Sequence, residues 1–146
     1  MPSTARHSVS VAAVIVDEHD RVLVVQRRDN GKWEPPGGVL EVTESILDGL
    51  RREVQEETGL LVEPELLTGV YKNMLRGIIA LVFRAHVRGG NLRTTDETTH
   101  AAWWDRERVT QHLDRAYAVR VLDALDSRVP VVRAHDGVSL IEDQPR

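Results

Sequence analysis

Apolar positions follow two rhythms along this chain, and the change of rhythm divides it into strands and helices. Residues 8–16 (SVSVAAVIV) and 22–27 (VLVVQR) are nearly continuous valine-rich runs separated by the polar Glu18-His19-Asp20, a pattern that predicts a β-hairpin. Residues 29–37 (DNGKWEPPG) carry two prolines and two glycines, which predicts a loop. The period then lengthens. Over 44–58, Ile46, Leu47, Leu50 and Val54 fall on one stripe of a helical wheel, which should face a core. Thr43 or Ser45 can cap this helix, Glu44 and Asp48 suit its positive end, and Gly59 supplies a left-handed stop.

The strand rhythm returns over Leu60 to Tyr71, interrupted around Pro64, and over 77–87 (GIIALVFRAHV), whose first half is apolar at every position, as in a strand covered on both faces. Gly89-Gly90-Asn91 turns the chain toward a strand at Thr99 to Trp104, in which Trp103 and Trp104 point to opposite faces. Asp105 caps a short helical turn, and 116–126 (AYAVRVLDALD) predicts a second long helix. VVRAH and VSLI flank Asp136-Gly137, a two-residue hairpin signal within 130–142. Without a repeat or an interdomain linker, this order implies one α/β domain over 1–146, with its core at about 8–125 and a C-terminal hairpin that covers a sheet edge or pairs with a second copy in a homodimer.

Composition narrows the function classes. The chain has 146 residues and a net charge of −4, which argues against nucleic acid or an anionic membrane as partner, since both need a basic footprint. The apolar run after Arg6-His7 is too short for a membrane span, and it leads through a polar turn into another run, unlike a signal peptide. The absence of cysteine excludes disulfides, thiolate metal sites and a cysteine nucleophile, and suits a cytoplasmic location. Neither a G-x-S-x-G element nor a P-loop occurs.

The chemistry gathers on the first helix. Glu53, Glu56 and Glu57 stand at i, i+3 and i+4, within a sector of about 100° that borders the apolar stripe. Carboxylates so grouped suit a hard cation such as Mg²⁺ or Mn²⁺, and the preceding Gly37-Gly38 turn lets backbone approach it. An acidic solvent face has the same pattern, because exposed like-charge pairs cost only about 0.2–0.5 kcal/mol each. The full string is more specific. Gly38, Glu44, Arg52, Glu53, Val54, Glu56, Glu57, Gly59 and Leu60 satisfy G-x5-E-x7-R-E-U-x-E-E-x-G-U, with U apolar. Chance produces this in about one chain of this length in 10⁷.

Residues 38–60 thus resemble the signature of the Nudix hydrolases, and Pro36-Gly37 strengthens the match. The resemblance implies an α/β/α sandwich with a mixed sheet between helices. It also implies Mg²⁺- or Mn²⁺-dependent cleavage of a nucleoside diphosphate linked to another group, a small-molecule nucleotide substrate. By analogy, Glu53, Glu56 and Glu57 hold the metal with the carbonyl of Gly37, and Arg52 and Glu44 orient them through ion pairs. An acid from the loop before the Trp-bearing strand, here Glu97, supplies a further ligand or the general base. The family often has two alanines where this chain has Gly49-Leu50. Outside the motif, Arg27 is placed to bind phosphate or base, or to form a surface ion pair. Trp33 stacks on a nucleobase or plugs the core. The six histidines read as structural or surface residues. The signposts of the ADP-ribose, diadenosine polyphosphate and coenzyme A subfamilies are missing, so the resemblance implies a short, generic member of the family, for example a nucleoside triphosphate pyrophosphatase that removes damaged nucleotides. The competing reading is a catalytically silent nucleotide-binding module, although such modules usually lose glutamates that are all present here.

Overall fold

The computed structural model describes residues 4–141. Its strands are β1 (Ser8–Ile15), β2 (Val22–Arg27), β3 (Trp33–Glu34), β4 (Gly37–Val39), β5 (Leu60–Asn73), β6 (Ile78–Gly90), β7 (Thr98–Trp104), β8 (Val131–His135) and β9 (Leu140–Ile141). Its helices are α1 (Ile46–Thr58), α2 (Arg106–His112) and α3 (Arg115–Asp126). A mixed sheet runs in the order β4-β1-β6-β5-β8-β9, and a smaller antiparallel sheet in the order β3-β2-β7.

Alternation along β1 explains the layering. Val11, Ala13 and Ile15 join Leu50 and Val54 of α1 in one core, whereas Ala12 and Val14 join Ala118, Val119 and Val121 of α3 in the other. The strands therefore lie between helices, the α/β/α arrangement expected. β2 and β7 divide the same way: Leu23 and Trp103 pack on the α1 side, Val24 and Trp104 on the α3 side.

The predicted hairpin over 8–27 does not form. β1 pairs in parallel with β6 and antiparallel with β4, while β2 pairs with β3 and β7. Only the isolated bridge Val16–Val22 joins the two runs. Both are buried on both faces, so neither leaves a polar face to solvent as a simple hairpin would.

α1 begins at Ser45, whose hydroxyl accepts from the Asp48 amide at 3.2 Å, and ends at Gly59 with φ 78°. Leu50 and Val54 are buried as predicted, but Ile46 and Leu47 are exposed because the first turn precedes the part of the helix packed on the sheet. β5 stays continuous through Pro64, absorbing the disturbance as register shifts. β6 extends through Gly90, past the start of the predicted turn. Asp105 caps α2 by accepting from the Arg108 amide at 2.9 Å. The C-terminal strands pair as expected, but through a four-residue connection, because Asp136 Oδ1 takes the amides of both Val138 and Ser139. Residue 142 of that predicted segment lies outside the described residues. No described helix is long and apolar enough to cross a membrane.

Candidate active site

Two neighbours position the acidic face of α1. Beneath it, Leu50 and Val54 fix the helix on the sheet. In front of it, β4 brings Gly37 and Gly38 close: the backbone of β1 leaves no room for a side chain at Gly37, and a side chain at Gly38 would push the Glu53 carboxylate aside. A Cβ on Gly37 would lie 2.7 Å from Ala12 Cα, and one on Gly38 would lie 2.7 Å from Glu53 Oε1. The Gly37 amide donates to Glu57 Oε2 at 2.9 Å.

Arg52 organises the outer carboxylates. Its Nε and Nη2 grip Glu44 at 2.8 and 2.6 Å, a bidentate pair, and its Nη1 donates to Glu53 at 3.0 Å and Glu56 at 3.1 Å. This fork holds the Glu44 carboxyl down to about 2 and raises Arg52 in turn. A Cβ on Gly49 would overlap the Leu40 side chain first and also press on Glu44 Oε1 at 2.9 Å, so the glycine leaves space for both.

The inner carboxylates are short of positive charge. Burial pushes Glu57 up to about 8, and the charges of Glu34, Glu53 and Glu97 add to the rise against one opposing amide from Gly37. Burial likewise raises Glu53 despite Arg52, with Glu56 and Glu97 contributing. Glu34 is raised by burial more than Arg27 lowers it. Glu56 is exposed, and Glu97 stands in an exposed loop whose carbonyl accepts from the Arg28 amide at 3.0 Å. Among the described residues no three His, Asp or Glu side chains stand together closely enough to hold a metal ion. What the fold places near the glycine backbone is a set of oxygen donors in which Arg52 offsets Glu53 and Glu56, Arg27 offsets Glu34, and Glu57 has no basic partner among the described residues. That is the chemistry a hard divalent ion fits.

A cleft of about 790 Å³ opens from Gly37 and Gly38 toward α3 and β8. Arg27 and Trp33 both line it. Arg27 is engaged with Asp29 at 2.6 Å and Glu34 at 3.2 Å, so its charge is shared before any ligand arrives. Trp33 packs its ring 4.6 Å from that of Trp104 and lines the cleft as well, which makes it core plug and cleft wall together.

A model of the NUDIX domain matches residues 6–125. The chain belongs to the NUDIX family of hydrolases. A MutT-like protein of Streptomyces ambofaciens is 54% identical over 92% of this chain and 88% of its own length. An 8-oxo-dGDP phosphatase of Danio rerio is 37% identical over 97% of this chain, which spans only 40% of that protein. Among solved structures, an ADP-ribose pyrophosphatase from Streptococcus suis superposes with a TM-score of 0.74 at 26% identity, covering 87% of this chain and 99% of that one. The Nudix resemblance and its sandwich fold are thereby borne out.

Three polar residues of the site went unnoticed in the sequence. Glu34 adjoins the predicted Trp33 and lies beside the acidic cluster. Arg120 is 8% exposed and His135 1% exposed, and both line the cleft. Arg120 had a usable signal, since Ala116 and Ala124 at i−4 and i+4 are apolar and put it on the buried stripe of α3. His135 had none, because its surroundings come from distant segments.

Proposed function

We propose that this Nudix hydrolase is a Mg²⁺- or Mn²⁺-dependent pyrophosphohydrolase that cleaves a nucleoside diphosphate linked to another group. The observation that carries the reading is the acidic cluster of Glu34, Glu53, Glu57 and Glu97, in which burial and mutual repulsion raise the Glu57 carboxyl to about 8. Glu53, Glu56 and Glu57 would hold the metal with the Gly37 carbonyl, and Glu97 from its loop would serve as a further ligand or as the general base. A cation held there would supply positive charge to polarise the attacked phosphoryl group and to offset charge on the leaving phosphate. Arg52, anchored on Glu44, keeps Glu53 and Glu56 in place between turnovers. Arg27 exchanges part of its pairing with Asp29 and Glu34 for the substrate, while Trp33 offers its ring to the base. The names of the Danio rerio and Streptococcus suis proteins support nucleotide or nucleotide-derivative substrates, and the absent ADP-ribose signpost favours the nucleotide. The enzyme acts in the cytoplasm.

The test is a panel of nucleoside di- and triphosphates and nucleoside diphosphate sugars, incubated with Mg²⁺ or Mn²⁺ in heavy-oxygen water. Release of a nucleoside monophosphate from a panel member is expected, and the position of the label names the attacked phosphorus. Tight nucleotide binding without turnover on any member would establish the silent binding module instead.

A further inference from the structure

The loop between β6 and β7 carries Glu97 and has no regular structure of its own, so contacts from outside must aim the carboxylate. Glu97 adds to the rise of both Glu53 and Glu57, which places its charge beside the acidic face of α1. The direction of a side chain follows from the two peptide planes that meet at its Cα, and Arg28 holds both planes at Glu97. Its Nε donates to the Asp96 carbonyl at 2.8 Å, on the plane before Glu97. Its amide donates to the Glu97 carbonyl at 3.0 Å, on the plane after. The first contact joins residues 68 apart in sequence, so no local turn chemistry supplies it. A break in register between Gln26 and Arg27 ends the regular ladder with β7 just where Arg28 reaches across. The other supports act within the loop or at its far end. Thr95 Oγ1 accepts from the Glu97 amide at 3.2 Å, and the Arg93 amide donates to the Thr58 carbonyl of α1 at 2.8 Å. Arg28 is exposed, and an arginine kept only for solubility would extend into water rather than fold back on a main-chain carbonyl.

We infer that Arg28 is a positioning residue for the reaction: by fixing the backbone on both sides of Glu97, it sets where the loop carboxylate stands relative to Glu53 and Glu57. The inference rests on the reading that Glu97 serves the metal site. The atom that matters is Nε, not the charge, because the acceptor is a neutral carbonyl that needs a donor at one place. Glutamine carries its Nε2 the same number of bonds from Cα as arginine carries Nε, so it supplies that donor without a charge. Methionine matches the length and supplies neither. A displacement of about 1 Å at a reacting group costs about a hundredfold in rate. Losing the Nε contact leaves the Arg28 amide on the Glu97 carbonyl, so the loop loosens without coming free and the expected loss is smaller.

Amide exchange followed by nuclear magnetic resonance on the metal-free protein reads this grip without metal or substrate. In Arg28→Met the amides of Arg28 and Glu97 should exchange about two- to tenfold faster than in wild type, the range of one ordinary hydrogen bond. Arg28→Gln should match wild type, and the Arg93 amide should be unchanged in both variants. Turnover tests the consequence. Arg28→Met should lower kcat about tenfold with little change in KM, and Arg28→Gln should restore it. In a Glu97→Gln background, Arg28→Met should cost no further rate, since it acts through that carboxylate. Unchanged exchange in Arg28→Met overturns the inference, as does faster exchange at Arg93 and across the sheet, which means general loosening. A glutamine variant as impaired as the methionine one assigns the effect to charge and overturns it too. So does an equal rate loss with and without Glu97, which gives Arg28 a direct role, or a Glu97→Gln variant as fast as wild type. If Arg28→Met keeps full rate in an active enzyme, the inference fails and the proposed function stands. A wild type without turnover overturns that function, while the exchange pattern still decides whether Arg28 holds the loop.

Discussion

Raising the pH of the metal-free protein should destabilise it, and Glu57 is the main cause. Its carboxyl stands at about 8 in the folded protein against an ordinary value of 4.5, so the folded chain keeps a proton that the unfolded chain has already released. A group raised on folding contributes stability that is complete below its unfolded value and is lost as pH rises through the folded value. Glu34 and Glu53 are raised as well and act with the same sign. His135 is lowered on folding, so it favours the folded state increasingly as pH rises toward its ordinary value of 6.5, which masks the effect below that point. The clean window therefore starts at 6.5. Between there and about pH 8, one retained proton is worth about 2 kcal/mol at about 1.4 kcal/mol per pH unit. For a chain of this size that is a fall in Tm of roughly 4–8 °C. The assay is thermal unfolding in chelator at several pH values, for wild type and Glu57→Gln. Wild type should show the fall, and the glutamine variant should be nearly flat. Equal slopes in the two proteins would refute the reasoning, because the retained proton would then lie elsewhere.

Other expectations follow from the same contacts. Divalent cation affinity, measured by Mn²⁺ titration, should rise with pH up to about 8, since binding must displace the Glu57 proton; affinity independent of pH would contradict this. Arg52→Lys keeps the charge but loses the fork on Glu44, so kcat/KM should fall about 10- to 100-fold while circular dichroism stays unchanged. Gly38→Ala should displace the Glu53 carboxylate and reduce turnover more than stability, read by comparing kcat with Tm. Leu50→Ala, at a fully buried position of the α1 core, should cost about 2–5 kcal/mol in denaturant unfolding.

The sequence and the structure agree where interactions are local. The span of α1, its Ser45 cap, its Gly59 stop and the shared face of Glu53, Glu56 and Glu57 all follow from helical period and terminal chemistry. Strand positions were legible for the same reason, but strand partners were not. The runs at 8–16 and 22–27 are apolar on both faces, so they carry no alternation to reveal that β1 would pair with β6 and β2 with β7. Sequential proximity suggested a hairpin, and burial on both faces required two sheets. The site divides along the same line. Arg52 and Glu44 sit within one motif, whereas the Arg120 environment is assembled from Tyr71 of β5, Tyr117 of α3 and His135 of β8. Glu34 carries no such signal, because a lone acidic residue between Trp33 and two prolines reads as loop polarity. Only the folded chain sets it beside Arg27 and the cluster.

The most direct test of the central claim is the rate of nucleoside monophosphate release against Mg²⁺ concentration, for wild type and Glu57→Gln on the best panel substrate. Metal-dependent catalysis through Glu57 gives no release in chelator, a saturable rise with the cation in wild type, and a loss of several orders of magnitude in the variant whose fold is intact. Turnover that persists in chelator, or a variant as fast as wild type, would contradict it.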